Sequence, residues 1–225
     1  MKNVYSLDEW VDPRTSALLV VDVQNDFCHP EGAFAKRGFD ITQAQMMVSK
    51  ANEMMAAARR VGIPVIVIRV LRGQNTAWPS LERVSQVAYG PDWLPVFVEG
   101  TWGAELVDEL ETKPGDIFID KNRYGAFTGT NLDIILGNLG VETLVMTGGA
   151  TNVCVESTLR EGFMLGYNVV LVDDACAATS QAFHDGTLAT VRLWFGRVEQ
   201  ASDVLSIWAN CKATSRQLAL SQSPS

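Results

Sequence analysis

Short apolar runs alternate with helix-like periodicity along almost the whole chain. The runs predict six buried strands, at residues 17–21, 64–70, 116–120, 143–147, 168–172 and 197–200. Helical patterns fall between them, at residues 42–60, 104–110, 130 or 131 to 139, 152–165 and 180–195. Apolar strands that alternate with helices indicate a parallel sheet covered on both faces. The pattern therefore predicts an α/β fold of three α/β/α layers, around a mostly parallel, doubly wound sheet of about six strands.

Nothing in the pattern marks a boundary between domains. The chain has no internal repeat and no low-complexity linker. We therefore expect a single domain over residues 1–225, with its core at about 15–208 and a polar, flexible tail at 212–225. Residues 71–100 are rich in Gly, Pro, Trp and Ser and predict a long irregular loop, which is typical of a lid or a subunit contact.

Composition narrows the possible partners and location. The 225 residues are 47% hydrophobic and 20% charged, as in ordinary globular proteins. The net charge of −8 argues against nucleic acid and anionic membranes as partners. No apolar run approaches the length of a membrane span, and the first ten residues lack the apolar core of a signal peptide. Four dispersed cysteines without a C-x-x-C pair favour reduced thiols and a cytoplasmic location.

Polar residues that could take part in catalysis or ligand binding follow four of the predicted strands. They are Asp22, Lys121, Cys154 and the pair Asp173-Asp174. Ligands of an open parallel sheet bind outside the carboxyl ends of its strands. The sheet is therefore expected to bring several of these residues together.

Cys154 is the sharpest of these candidates. The pair Gly148-Gly149 permits an unusual backbone path, and a helix that starts near Asn152 would hold the thiol in its first turn. The free N–H groups of a helix start favour a thiolate and can also bind an oxyanion. A nucleophilic cysteine needs a base and profits from a nearby cation, which Asp22 and Lys121 can supply. On pattern alone, a buried packing cysteine is an equally good interpretation.

Other polar and aromatic residues flank the same strand ends. Candidates for substrate contacts are Asn25, Phe27, Trp102 and Tyr124. Ordinary packing explains the aromatic members at least as well. The roles of His29 and Arg123 stay open, although Arg123 could bind a substrate carboxylate. His184 falls within a helical pattern and is interpreted as structural.

Several enzyme classes lack their sequence signals. Histidine occurs twice only, which weakens Ser-His-Asp and Cys-His mechanisms and zinc sites with several ligands. The G-x-x-x-x-G-K-[ST], G-x-G-x-x-G and G-x-S-x-G patterns do not occur. We therefore expect neither a metal nor a cofactor.

Three segments together resemble the isochorismatase-like cysteine hydrolases. They are V-D-V-Q-N-D-F around Asp22, D-K-N-R-Y-G-A-F around Lys121, and G-G-A-T-N-V-C-V-E-S-T around Cys154. The resemblance covers about residues 15–208. It implies a three-layer α/β/α fold and a homo-oligomer, either a dimer or a tetramer.

The resemblance also implies a mechanism. Asp22, Lys121 and Cys154 would form a triad in which the thiolate attacks an amide or ureido carbonyl and forms an acyl-enzyme that water hydrolyses. A non-proline cis peptide would fall at Gly149–Ala150. The N–H groups of Ala150 and Cys154 would then bind the oxyanion.

Branches of this family differ in chemistry. Cys154 argues against the vinyl-ether hydrolysis of true isochorismatases, and the stretch after the second strand lacks the Asp-x-His pair of nicotinamidases. The segments T-N-V-C-V-E-S-T-L-R-E-G-F and W-G-A-E-L-V-D-E-L look most similar to ureidoacrylate amidohydrolases. Biuret and triuret hydrolases and carbamoyl-amino-acid amidases are close alternatives. The expected substrate is therefore a small ureido or amide compound.

Interpretations from other classes stay open. A small-molecule binding protein on the same fold would have no need of all three triad residues. A nicotinamidase-like amidase would use the same cysteine. A thiol redox sensor would need a resolving partner for Cys154, and Cys176 is the only plausible one.

Overall fold

A computed structural model describes residues 5–76, 78–91, 93 and 95–212. Its strands are β1 (Ser16–Val21), β2 (Val65–Val70), β3 (Ile117–Lys121), β4 (Thr143–Gly149), β5 (Asn168–Ala177) and β6 (Arg197–Glu199). They form one sheet in the order β3-β2-β1-β4-β5-β6, and every pair is parallel. This order confirms the predicted doubly wound sheet. It places the reversal of strand order between β1 and β4, where α/β sheets bind their ligands.

Nine helices accompany the strands in the described part of the chain. They are α1 (Leu7–Trp10), α2 (Asn25–Cys28), α3 (Ala33–Lys36), α4 (Thr42–Val61), α5 (Pro79–Tyr89), α6 (Leu132–Asn138), α7 (Glu156–Met164), α8 (Gln181–Trp194) and α9 (Ala201–Asn210). Helices α4 and α9 pack on one face of the sheet, and α6, α7 and α8 pack on the other. The three predicted layers are therefore present. No described helix is both long and apolar enough to span a membrane.

Strand β1 shows why the sheet lies at the centre. Each of its residues is buried. Leu18 and Val20 point into the core beneath α4, while Leu19 and Val21 point into the opposite core. Because alternate side chains of a strand face opposite sides, a strand that is apolar at every position is stable only between two layers.

Two predictions around the long loop are wrong. Residues 71–100 are not irregular throughout, since they contain α5. That helix escapes the hydrophobic pattern because Val84 and Val87 are exposed, so its apolar residues do not mark one buried face. The helix predicted at 104–110 is absent, because the backbone there pairs with the segment after β1: Asn25 N donates to Glu105 O, and Val107 N donates to Val23 O.

The fifth strand is longer than predicted. It continues from residue 172 to Ala177, so Asp173 and Asp174 lie inside the strand rather than at its end. Asp174 accepts a 2.7 Å hydrogen bond from the backbone N–H of Ala201, at the start of α9. Helix α9 itself was not predicted. The tail predicted to be flexible lies outside the described residues from 213 onward.

Candidate active site

Cys154 lies immediately beyond β4, at the reversal point of the sheet. Strand β4 ends at Gly149, and one helical turn of π type spans Thr151–Val155 before α7 begins. The peptide bond between Gly149 and Ala150 is cis, as the resemblance implies. The thiol is therefore carried in the first turn of a helix, where backbone N–H groups lack partners within the helix.

The two positions before this turn have no room for a side chain, so both must be glycine. A Cβ at Gly148 would lie 2.1 Å from the carbonyl oxygen of Val21, and the φ of Gly148 is +111°. A Cβ at Gly149 would lie 2.0 Å from the ring of Phe27. Any larger residue at either position would displace β1 or the wall of the site.

Asp22 and Lys121 form a buried ion pair beside the thiol. Lys121 Nζ lies 2.8 Å from Asp22 Oδ2, and the two side chains are 0% and 3% exposed. Lys121 reaches across the end of β2 from β3, and its Nζ also donates to the carbonyl oxygen of Arg123 at 3.0 Å. Asp22 has a φ of +52°, a left-handed conformation that is uncommon outside glycine. Such conformations cost about 1–3 kcal/mol and cluster at functional sites.

The thiol of Cys154 is protonated at rest. Burial, the negative charge of Asp22 and a hydrogen bond with it raise the pKa of Cys154 to about 12, although Lys121 acts in the opposite direction. Burial would lower the pKa of Lys121, but the charge of Asp22 and hydrogen bonds to Asp22 and Cys154 raise it overall. The resting site therefore combines a neutral thiol, a carboxylate that can accept its proton, and an ammonium ion that favours the thiolate.

Hydrogen bonds hold the cysteine-bearing turn in place. Thr151 Oγ1 lies 2.9 Å from His184 Nδ1, and His184 Nε2 lies 2.9 Å from Asp173 Oδ1. Thr158 Oγ1 donates to the carbonyl oxygen of Cys154 at 2.7 Å. His184 is buried and acts structurally, in line with its sequence interpretation.

A cavity of about 840 Å³, including its mouth, opens onto the thiol. Its described lining includes Asp22, Cys154 and a wall of aromatic side chains: Phe27, Phe34, Tyr89, Trp93, Phe97, Tyr124 and Phe183. Phe27 and Tyr124 were among the predicted substrate contacts, and both line this cavity. The volume falls within the range typical of small-molecule sites.

Asn25 and Trp102, the other two predicted contacts, are not among the described lining residues. Asn25 Nδ2 donates to the carbonyl oxygen of Trp102 at 2.9 Å, so Asn25 ties two segments together. Trp102 is largely exposed and packs edge-on against His29. Arg123 is also used elsewhere, because its guanidinium contacts Asn122 and lies over the ring of Trp78.

Among the polar lining residues that were missed at the sequence level, two have a buried atom without a hydrogen-bond partner in the described structure. Arg72 follows β2 by two residues, and its Nε is buried without a hydrogen-bond partner among the described residues. Asn152 Oδ1 is likewise buried and unpartnered in the described structure. Buried polar atoms are nearly always hydrogen-bonded, so these two atoms are candidates for contact with a bound molecule. The position of Arg72 just beyond a strand end was the available signal.

The remaining cysteines lie in ordinary packing. Cys28 and Cys176 are buried, and burial raises the pKa of both thiols well above the usual range. Among the described residues, no group of three or more His, Cys, Asp or Glu side chains could hold a metal ion.

A parallel α/β sheet with a cysteine beside a cavity, at the point where the strand order reverses, is the arrangement expected of an α/β cysteine hydrolase. Within that class, the chain belongs to the isochorismatase family, since the family model described as the isochorismatase domain matches residues 16–203.

Curated relatives place the chain more closely. It is 37% identical over 205 residues to the ureidoacrylate amidohydrolase RutB of Methylobacterium radiotolerans, covering 85% of this chain and 79% of that one. It is 35% identical over 204 residues to the protein of the same name from Caulobacter vibrioides, covering 86% and 91%.

Solved structures agree on the fold. A cysteine hydrolase from Pseudomonas syringae pv. phaseolicola superimposes with a TM-score of 0.76 at 27% identity, covering 88% of this chain and 94% of that one. The N-carbamoylsarcosine amidase from Thermoplasma acidophilum superimposes with a TM-score of 0.65 at 27% identity, covering 83% and 96%.

Proposed function

We propose that this protein is a cysteine-dependent amidohydrolase that cleaves a C–N bond of a small ureido compound through a covalent acyl-enzyme. The observation that carries the proposal is the buried Asp22–Lys121 ion pair, whose Asp22 lines the same cavity as Cys154 and whose two charges act on the pKa of its thiol. The named activity of the curated relatives, ureidoacrylate amidohydrolysis, supports a ureido substrate.

In the first half-reaction, Cys154 attacks the substrate carbonyl. The thiol proton passes to Asp22, the S–C bond forms, and the carbonyl π electrons move onto oxygen. Lys121 favours the transient thiolate, and the N–H groups of Ala150 and Cys154 stabilise the oxyanion. The proton held by Asp22 then passes to the departing nitrogen as the C–N bond breaks, which leaves the acyl group on sulfur.

In the second half-reaction, water replaces the amine. Asp22 takes a proton from the water as its oxygen attacks the thioester carbonyl. The tetrahedral intermediate collapses with cleavage of the C–S bond. The thiolate recovers its proton from Asp22, and the acid or carbamate leaves.

Asn152 supplies a means of recognising the ureido group. Its buried, unpartnered Oδ1 is a hydrogen-bond acceptor in a largely aromatic cavity. A ureido compound carries N–H donors on both sides of its carbonyl. A hydrogen bond from one of them to Asn152 would satisfy the orphaned acceptor and hold the carbonyl toward Cys154.

The direct test is ammonia release by the purified protein from ureidoacrylate, biuret, triuret, carbamoyl-amino acids, nicotinamide and maleamate, with Cys154→Ser as the blank. We expect Cys154-dependent release from at least one ureido compound. Release only from nicotinamide or maleamate would assign the protein to another amidase branch. The absence of ammonia release from every compound in the set would contradict the proposal and favour a binding role.

Chelation is expected to leave the activity unchanged. The proposed chemistry assigns every proton and charge to a side chain or backbone group of the protein. Turnover of the best substrate should therefore be equal before and after prolonged dialysis against EDTA or 1,10-phenanthroline. A loss that added Zn²⁺, Mn²⁺ or Fe²⁺ restores would show that a metal takes part.

We also propose that the protein is a homo-oligomer, either a dimer or a tetramer. The outer surface of the layer that contains α6, α7 and α8 exposes large apolar side chains, among them Ile134, Met164, Leu193 and Trp194. Exposed apolar groups of this size are typical of subunit contacts. Light scattering coupled to gel filtration would give the mass directly.

A cytoplasmic location is proposed as well. All four cysteines are free thiols, and the site depends on a reduced Cys154. Disulfide formation in an oxidising compartment would threaten that thiol. Fractionation of the native host would test the location.

A further inference from the structure

Among the described residues that line the cavity, Arg72 is the one charged side chain that the proposed chemistry does not use. It borders both the cavity of Cys154 and an outer groove that includes Trp78, Glu82 and Trp93. It makes no ion pair with a described residue, and its Nε is buried without a hydrogen-bond partner there. Burial of this N–H group is costly, because it removes hydration that no described group replaces.

The backbone around Arg72 is fixed on both sides. Arg72 N donates to the carbonyl oxygen of Phe97 at 2.9 Å, and Glu99 N donates to the carbonyl oxygen of Arg72 at 3.2 Å. Its guanidinium lies 5.8 Å from the centre of the Phe97 ring. The nearby carboxylate of Asp26 is already engaged, since it accepts hydrogen bonds from the N–H groups of Phe97 and Ala33. Backbone hydrogen bonds and the Phe97 ring therefore position the Arg72 guanidinium at the cavity wall, without an ion pair to a described carboxylate.

The charged groups described at this end of the cavity are Asp22 and Arg72 in its lining and Lys121 behind Asp22. Asp22 is balanced by Lys121 at 2.8 Å. Burial raises the pKa of Tyr124 and that of the Cys154 thiol, so both groups are neutral at neutral pH. Asp22, Lys121 behind it and Arg72 together therefore carry one net positive charge. A ligand with one negative charge would restore neutrality.

We propose that Arg72 binds a carboxylate of the substrate, so that the enzyme acts on ureido acids in preference to neutral ureas. The guanidinium fork matches a carboxylate in two parallel N–H···O bonds. The ureido group would then lie toward Asn152 and Cys154, with the aromatic wall around the connecting carbons. This inference rests on the proposed ureido hydrolysis and selects the anionic compounds among its possible substrates.

The test compares two ureas that differ chiefly in the carboxylate: 3-ureidopropionate and N-butylurea, a neutral alkylurea of similar length. We expect the wild-type enzyme to favour the acid by at least 30-fold in kcat/KM, which corresponds to about 2 kcal/mol at 1.4 kcal/mol per tenfold. Arg72→Gln should lose that factor on the acid and keep its rate on the neutral urea. Arg72→Lys should recover part of the preference, because it keeps the charge without the fork.

Arg69→Gln is the matched control. Arg69 lies on β2 three residues earlier and pairs with Asp120 at 2.7 Å, away from the cavity lining. It should behave as wild type on both ureas. Equal losses on both ureas in Arg72→Gln, or equal wild-type rates on both, would overturn the inference while leaving ureido hydrolysis intact.

A binding measurement separates this inference from the proposed function. In Cys154→Ala protein, titration calorimetry should detect 3-ureidopropionate, with affinity at least 30-fold weaker when Arg72→Gln is added. That result, combined with no hydrolysis of any ureido compound by wild type, would reject the function and keep the carboxylate site. Failure of Cys154→Ala protein to bind the acid more tightly than N-butylurea would reject the carboxylate site.

Discussion

Replacing Cys154 with alanine should lower kcat on the best ureido substrate on the order of 10⁴-fold or more, since the covalent route has no other nucleophile. The fold should persist. The side chain lies at the cavity surface in a turn held by the hydrogen bonds of Thr151 and Thr158. Steady-state kinetics and thermal unfolding measure the two effects separately. Cys154→Ser tests whether the reaction needs the sulfur atom, because serine is similar in size to cysteine but is a much weaker nucleophile.

Cys176→Ala is the control for this experiment. Cys176 is buried on the neighbouring strand, where its Sγ contacts the carbonyl oxygen of Met146 at 3.7 Å. Its loss should cost stability but leave kcat close to that of wild type. Substantial turnover by Cys154→Ala would contradict the covalent mechanism. A joint requirement for both cysteines, with a disulfide between them after mild peroxide, would instead favour the redox interpretation.

Much of the site could be predicted because it lies at strand ends. Asp22, Lys121 and the turn with Cys154 each follow an apolar run, and a parallel sheet brings such positions to one edge. The glycines before Cys154 were equally informative. Close contact with Val21 excludes a side chain at the first of them.

The parts that could not be predicted depend on long-range contacts. Helix α5 exposes apolar side chains, so periodicity does not reveal it. The acidic pair at residues 173–174 looked like a strand end, yet it binds His184 and the start of α9. The sequence places Arg72 just beyond a predicted strand, but only the structure shows that its Nε lacks a hydrogen-bond partner among the described residues. Sequence patterns report local burial, whereas the lining of a cavity is set by several distant segments.

Asp22→Asn and Lys121→Met should shift the reactivity of Cys154 in opposite directions. The negative charge of Asp22 raises the pKa of the thiol, so its removal lowers that pKa and leaves the thiol beside the unbalanced charge of Lys121. Lys121 lowers the same pKa, so its removal raises it further. The rate of alkylation by iodoacetamide, followed against pH, should therefore rise at lower pH in Asp22→Asn than in wild type, and at higher pH in Lys121→Met.

Both variants should nevertheless lose turnover. Asp22→Asn has no acid for the leaving nitrogen and no base for water. Lys121→Met has a thiol whose pKa is raised further, so less thiolate forms. Each should also lose about 3–5 kcal/mol in the free energy of unfolding in urea, since one member of a buried ion pair remains unpaired. The double variant should regain much of that loss, because neither charge is left alone. Faster alkylation without catalysis would separate the two roles proposed for Asp22, which are to keep the thiol protonated at rest and to transfer protons during the reaction. Identical alkylation profiles in all three proteins would show that the ion pair stabilises the fold without controlling the thiol.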